Sequence, residues 1–116
     1  MHNFRQLQVW QEGMAVAKLT YLCIADLPST EKFGLISQIS RCAVSVPSNI
    51  AEGSSRSSNK EFAHFLSIAL GSLFELETQL QLAIDLNFVN QHNIEKLMLD
   101  IITLQKKIST FKKTLI

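Results

Sequence analysis

Apolar residues recur at intervals of three and four positions in four separate segments of the chain. Such spacing places side chains on one face of an α-helix, whereas a half-buried strand alternates apolar and polar residues. Because no segment alternates, the sequence predicts an all-α fold, an antiparallel up-down-up-down four-helix bundle that forms a single domain over residues 1–116. The predicted core stripes are Leu7, Trp10, Met14, Ala17, Tyr21 and Ile24; Ile36, Ile39, Ala43, Val46 and Ile50; Phe62, Leu66, Ala69, Leu73, Leu76, Leu80 and Ala83; and Ile94, Leu97, Ile101, Leu104, Ile108, Phe111 and Leu115.

Helix-breaking and capping residues separate the four stripes. Pro28 ends the first helix because proline cannot continue it, and Gly53 is expected at the left-handed position just past the second. Ser58 and Glu61 form a capping box that starts the third helix, and Asn90 can cap the fourth. The connections are short, which favours antiparallel neighbours.

Pro47 falls inside the second stripe. Proline removes an amide donor and presses on the carbonyl of Ala43, so it is expected to bend the helix. The sequence therefore predicts a kinked but continuous helix from about Gly34 to Glu52.

The third predicted helix has more apolar residues than one stripe uses. A helix that is apolar around most of its girth must be covered on more than one side. The composition agrees, since 47% of the residues are apolar and only 18% are charged. We expect another subunit to provide the cover, hence self-association. The residues outside the stripe are Phe65, Ile68, Leu70, Phe74, Leu82 and Leu86.

Charge and composition exclude several classes of protein. The net charge of +1 argues against a strongly electrostatic nucleic-acid binder, and no apolar run is long enough to predict a membrane span. Residues 1–6 lack a signal-peptide core, so a cytoplasmic protein is expected. Cys23 and Cys42 match no metal or redox spacing, and we expect both to be reduced packing residues in the core.

No catalytic motif is recognisable. Glu61 and His64 form one Glu-x-x-His pair, but a di-iron bundle needs a second pair and further glutamates. No Ser-His-Asp set and no glycine-rich nucleotide loop can be assigned. The sequence therefore predicts a non-enzymatic protein with no catalytic residue, no metal site and no cofactor.

Two cationic segments are candidates for phosphate contact, which makes nucleic-acid association the alternative function. Arg56 and Lys60 flank the predicted N-terminus of the third helix, where free amides favour anions. The second segment is the basic C-terminal turn of Lys106, Lys107, Lys112 and Lys113. Each segment also has a plain structural explanation. The first is then a capped turn with surface cations, and the second is a solvated helix end whose cations complement the helix dipole.

A polar row also follows the second predicted helix, and glutamates of the third helix can meet it. Either this row is a solvated face, or it is an Arg–carboxylate network inside the bundle or between subunits. The row consists of Gln38, Arg41, Ser45, Ser48 and Glu52, and the glutamates are Glu75 and Glu77.

Several motifs between positions 9 and 77 are specific enough to compare with a known family. They are Val9-Trp10-Gln11, Glu31-Lys32-Phe33-Gly34-Leu35, Gln38-Ile39, Ser45-Val46-Pro47-Ser48-Asn49-Ile50-Ala51-Glu52-Gly53, Arg56, and Ala69-Leu70-Gly71-Ser72-Leu73-x-Glu75-Leu76-Glu77. With these motifs the chain resembles bacterial four-helix-bundle proteins first found as reading frames within intervening sequences of large-subunit ribosomal RNA genes. The likeness runs in register from about Phe4 to Asn90, and the last helix agrees in pattern only.

The resemblance implies an antiparallel bundle that assembles as a ring-shaped homopentamer, with no established enzymatic activity. The family is similar to the accessory variability determinant of diversity-generating retroelements, a pentamer whose basic surface engages reverse transcriptase and nucleic acid. The resemblance thus suggests three partners: further copies of the chain, nucleic acid, or an enzyme that acts on nucleic acid. This chain differs from that relative in being nearly neutral.

Residues that match the family signature are expected to be structural. Gly71 would permit close helix approach, and Glu52 and Glu75 would pair with Arg41 or Arg56. The full set comprises Pro47, Asn49, Glu52, Gly53, Arg56, Gly71, Ser72, Glu75 and Glu77.

Overall fold

Four α-helices make up most of the computed structural model, which describes residues 2–116. Within these residues there is no strand, which confirms the predicted all-α fold. The helices are α1 (Gln8–Cys23), α2 (Leu35–Ser54), α3 (Asn59–Asp85) and α4 (Glu95–Leu115). Short 3-10 turns lie at Phe4–Gln6, Ile24–Asp26, Ser29–Glu31 and Gln91–Ile94.

Each helix packs against two others, so that α1 and α3 lie across the core from each other. The most extensive contact joins α2 to α3, and the fold measures 43 × 24 × 19 Å. None of the helices in the described part of the chain is both long enough and apolar enough to cross a membrane.

The stripes predicted on α2, α3 and α4 form the core. Every residue of the α3 stripe is at most 1% exposed, because the three-four spacing keeps one side of this long helix against its neighbours. On α2 only Ile36 is half-buried, and on α4 only Phe111 and Leu115 are.

The stripe predicted on α1 is only partly confirmed: Ile24 is buried, and Leu7, Trp10 and Ala17 pack half-buried against the core. Met14 and Tyr21 are 47% and 51% exposed, and the buried face lies one position away. That face consists of smaller residues because α1 approaches α2 closely. A Cβ atom built on Gly13 would lie 3.5 Å from Val46 Cγ1, and the buried Thr20 hydroxyl donates to the Val16 carbonyl at 2.7 Å. The buried residues of α1 are Val9, Gly13, Val16 and Thr20.

α2 is continuous through Pro47, as predicted, and extends to Ser54 rather than ending at Glu52. The Pro47 ring is buried, where it faces Gly13 of α1. The kink and the antiparallel order of the helices stay predictions.

The position expected for Gly53 is also wrong. No glycine among residues 2–116 has a positive φ, and Gly53 lies within the last turn of α2. A Cβ atom on Gly53 would lie 2.6 Å from Phe65 Cβ and 2.9 Å from Phe62 Cδ1. Glycine is therefore required here because α2 and α3 come too close for any side chain.

Helix capping follows the sequence in part. The Ser58 hydroxyl accepts a hydrogen bond from the Glu61 amide at 3.1 Å, which is half of the predicted capping box. Asn90 accepts from the His92 amide at 2.8 Å, so it caps the 3-10 turn that leads into α4. The first helix ends at Cys23, before the proline predicted to stop it.

Candidate assembly surface and phosphate-contact sites

An apolar row runs along the outer side of α3. Four of the six residues that fall outside its core stripe are exposed: Ile68 (39%), Phe74 (52%), Leu82 (47%) and Leu86 (50%). The other two are half-buried. The structure thus confirms that one side of α3 remains uncovered within a single chain.

Gly71 lies in this outer row, three residues after Ile68 and four before Glu75. A Cβ atom on Gly71 would meet nothing within 4 Å. The prediction that Gly71 permits close helix approach is therefore wrong within one chain, where Gly53 has that role. Glycine inside a helix costs about 1 kcal/mol relative to alanine, and no contact of the single chain offsets this cost at Gly71.

The Arg56 side chain is held by its neighbours. Its Nη2 donates to Glu52 Oε1 at 3.0 Å, and its guanidinium lies 4.7 Å above the centre of the Phe65 ring. The Arg56 Nε is buried, and no described residue accepts its hydrogen bond. The predicted Glu52–Arg56 pair is thus present, and it neutralises much of the charge that a phosphate would need.

Lys60 is exposed beside an open cavity of about 640 Å³ that Arg56 also borders. The structure therefore brings the two predicted phosphate contacts to one cavity at the start of α3. The Glu61 carboxylate lines the same cavity, and its negative charge disfavours a bound anion there. The Glu61 amide is already bonded to Ser58.

The four lysines of α4 do not form one cluster. Lys107 lies 2.5 Å from Glu12 and joins α4 to α1, a contact that the sequence pattern does not reveal. Lys106 is exposed beside a cavity of about 450 Å³ whose apolar lining includes Phe111. Lys112 is half-buried and Lys113 is exposed.

The N-terminal segment joins the Arg56 turn to the last turns of α4 at one end of the fold. The His2 amide donates to the Ser54 carbonyl at 3.1 Å, and the His2 ring lies 5.0 Å from Phe62 and 6.3 Å from Phe111. Arg5 is exposed at this end, and its distance along the chain from the other cations concealed it from sequence reasoning. We call this the basic end; its cations are Arg5, Arg56, Lys60, Lys112 and Lys113. Lys106 lies beside Leu70 and Phe74 of the middle of α3, and Lys107 pairs with Glu12 of α1, so neither belongs to this end.

Hydroxyl and amide groups connect α2 to α3. Ser45 Oγ lies 2.8 Å from Ser72 Oγ, and Asn49 Nδ2 donates to the Ser45 carbonyl and hydroxyl at 2.8 and 2.9 Å. The rest of the predicted polar row is exposed, which favours the solvated face over a network buried within the chain. These bonds give Asn49 its structural role.

Glu75 faces a thiol rather than an arginine, so its predicted pairing with Arg41 or Arg56 is wrong within one chain. The Cys42 Sγ donates to Glu75 Oε2 at 3.7 Å. Burial raises the pKa of the Cys42 thiol, and the negative charge of Glu75 raises it further. Cys42 and Cys23 are both free thiols, and each is half-buried rather than fully buried as expected.

Within residues 2–116, His, Cys, Asp and Glu side chains form no cluster of three that could hold a metal ion. Glu61 and His64 line the cavity at the start of α3 without a third such ligand in that part of the structure.

Comparison with known proteins places the chain in a family. No curated protein sequence matches it. The family model described as 23S rRNA-intervening sequence protein matches residues 5–110, which include all of α1, α2 and α3 and most of α4. The chain therefore belongs to the family of 23S rRNA-intervening sequence proteins.

Proposed function

We propose that this chain is a non-enzymatic, self-assembling interaction protein, an antiparallel up-down-up-down bundle bent at Pro47 that forms a ring of five copies. The subunit number is the one that the family resemblance implies. The bend is expected because the Ala43 carbonyl faces a proline ring instead of an amide.

Contacts between neighbouring helices support the antiparallel order. Cys42, early in α2, meets Glu75 late in α3, whereas Gly53 at the end of α2 meets Phe62 at the start of α3. Contacts between α1 and α4 run in the same reversed order: Glu12 meets Lys107, and Cys23 meets Asn93.

The exposed apolar row of α3 carries the proposal of self-assembly. Burial of a leucine side chain contributes about 1.5–3 kcal/mol, so half-exposed Leu82 and Leu86 each forgo about 1 kcal/mol in the single chain. A second copy that covers the row recovers this free energy. It also gives Gly71 a packing role, since a helix can approach closely where no side chain intervenes.

Light scattering coupled to size-exclusion chromatography tests the assembly. The chain should elute with a mass several times 13.1 kDa, and the Leu82→Glu/Leu86→Glu variant should elute as a single chain. Gln8→Glu/Gln91→Glu adds the same charge at exposed polar positions outside α3 and should leave the mass unchanged. A wild-type chain of 13.1 kDa, or equal masses for both variants, would refute the proposal.

Contact with nucleic-acid phosphates is a second candidate function, and the uneven distribution of charge favours it. Five of the eleven Lys and Arg residues lie at the basic end. Two side-chain carboxylates, Glu52 and Glu61, accompany them there, and Glu52 is engaged in an ion pair with Arg56. The near-neutral total charge of the chain thus conceals a local surplus of three positive charges at the basic end. A surface that binds phosphates needs cations, whereas a surface that binds a protein also needs apolar anchors. Within the described residues, Ile116 is the one large apolar side chain exposed at the basic end, which favours phosphates over a protein partner there.

The salt dependence of binding tests this candidate. Fluorescence anisotropy of a labelled single-stranded RNA should show affinity that falls steeply with salt, by a slope of about 0.7 per phosphate contact. Lys112→Gln/Lys113→Gln should lower that slope by about 1.4. Lys32→Gln/Lys96→Gln removes the same charge at exposed sites away from the basic end and should not change it. Equal effects of the two pairs would rule out a defined phosphate surface.

A further inference from the structure

The exposed residues of the stripe predicted on α1 identify a second uncovered surface. This stripe has the three-four spacing of a packing surface, yet Met14 and Tyr21 face solvent in the single chain. Trp10 and Ala17 of the same stripe are only half-buried. The exposed Val44 of α2 adds to the apolar area, since α2 packs beside α1. An exposed apolar patch of this kind is typical of a surface that a partner covers.

The two uncovered rows lie on separate helices, and α1 and α3 are each packed between α2 and α4 rather than beside one another. Their central charges are complementary. Lys18 lies between Met14 and Tyr21 on α1, and Glu75 lies between Gly71 and Leu82 on α3. Both side chains are exposed, and neither is part of an ion pair within residues 2–116.

We infer that the α1 row of one copy docks on the α3 row of the next copy, with Lys18 facing Glu75 across the contact. The inference rests on the proposed self-assembly and specifies its interface. Shape agrees as well, since the α1 row carries large side chains and the α3 row has a gap at Gly71. The contact joins two different surfaces, so each copy keeps one free surface of each kind until a closed ring forms. An interface that paired α3 with α3 would stop at two copies.

Mixing two variants tests this pairing. Met14→Glu/Tyr21→Glu removes the α1 row and Leu82→Glu/Leu86→Glu removes the α3 row, at positions that are about half exposed and tolerate charge in the folded chain. Each variant alone should be a folded single chain of 13.1 kDa by circular dichroism and light scattering. An equal mixture should form dimers and nothing larger, because each copy then contributes one intact row.

Every other outcome has a distinct meaning. If the wild-type chain assembles and Met14→Glu/Tyr21→Glu forms an assembly of the same mass, the α3 row has a different partner surface and the inference is wrong. If the mixture stays monomeric, the two rows do not meet. If the wild-type chain is itself a monomer by light scattering, the proposal of self-assembly is wrong. Charge reversal gives an independent check: Lys18→Glu or Glu75→Lys should weaken association about fivefold, and the two together should restore it. Failure of the double reversal to restore binding would exclude the Lys18–Glu75 contact.

Discussion

Replacement of Gly53 by alanine should destabilise the fold, although alanine favours helices. The new Cβ atom would lie 2.6 Å from Phe65 Cβ, whereas ordinary contact begins near 3.4 Å. Phe65 Cβ is fixed to the backbone of α3 and cannot rotate away. Phe62 is 1% exposed and has no room to move. The two helices must therefore separate by several tenths of an ångström.

The magnitude follows by comparison with Gly71→Ala. Overpacking of this kind costs about 1–3 kcal/mol, and the helix propensity of alanine offsets about 1 kcal/mol. Gly71→Ala gains the same propensity without a clash, since its Cβ atom meets nothing within 4 Å. We expect Gly53→Ala to be less stable than Gly71→Ala by about 1–3 kcal/mol, which isolates the steric cost at Gly53.

Urea unfolding followed by the fluorescence of Trp10, the single tryptophan, measures the difference. The variants are made in the Leu82→Glu/Leu86→Glu background, which keeps association out of the comparison. A difference of 2 kcal/mol shifts the midpoint by roughly 1 M urea. Gly13→Ala, whose Cβ atom makes an ordinary contact at 3.5 Å, should behave like Gly71→Ala. Equal midpoints for Gly53→Ala and Gly71→Ala would refute the close approach of α2 and α3.

Two further predictions concern helix capping and thiol chemistry. Ser58→Ala should lower the free energy of unfolding by about 1 kcal/mol in thermal or urea unfolding, because the Glu61 amide loses its acceptor. Ser57→Ala is the control, and an equal loss of stability in the two variants would argue against the Ser58 cap. Glu75→Gln should lower the raised pKa of Cys42. Because alkylation requires the thiolate, the reaction at pH 8 should become faster at Cys42 and stay the same at Cys23. Mass spectrometry of iodoacetamide adducts measures both rates, and an unchanged rate at Cys42 would exclude the contribution of Glu75 to the Cys42 pKa.

The sequence pattern predicts α2, α3 and α4 well because each carries one dominant apolar stripe. On α1 two stripes compete, and Met14 and Tyr21 of the stripe with larger side chains are exposed. Burial there depends on how closely α1 and α2 approach, so the small residues Gly13 and Thr20 face inward. Side-chain size alone cannot reveal that geometry.

Gly53 has the close-approach role that was expected of Gly71, for a related reason. The stripe Ile39, Ala43, Val46 and Ile50 continues at the same spacing to position 53, which was the available signal that Gly53 belongs to the core face. The expectation of a left-handed helix end depended on residue type alone. A Cβ atom on Gly71 would meet nothing within 4 Å among the described residues, so packing within one chain does not explain this glycine.

The cationic candidates could be named from sequence, but their surroundings could not. Glu12 is far from Lys107 along the chain and neutralises it in the fold, and the Phe65 ring under Arg56 is likewise a result of helix packing. Charge segregation to one end emerges only when the N-terminal segment meets the ends of α2 and α4.

Sedimentation equilibrium of the wild-type chain over a range of micromolar concentrations tests the central claim most directly. If the uncovered rows of α1 and α3 are interfaces, the mass should rise with concentration toward about 66 kDa, five times the 13.1 kDa of one chain. A mass of 13.1 kDa at every concentration would contradict the account.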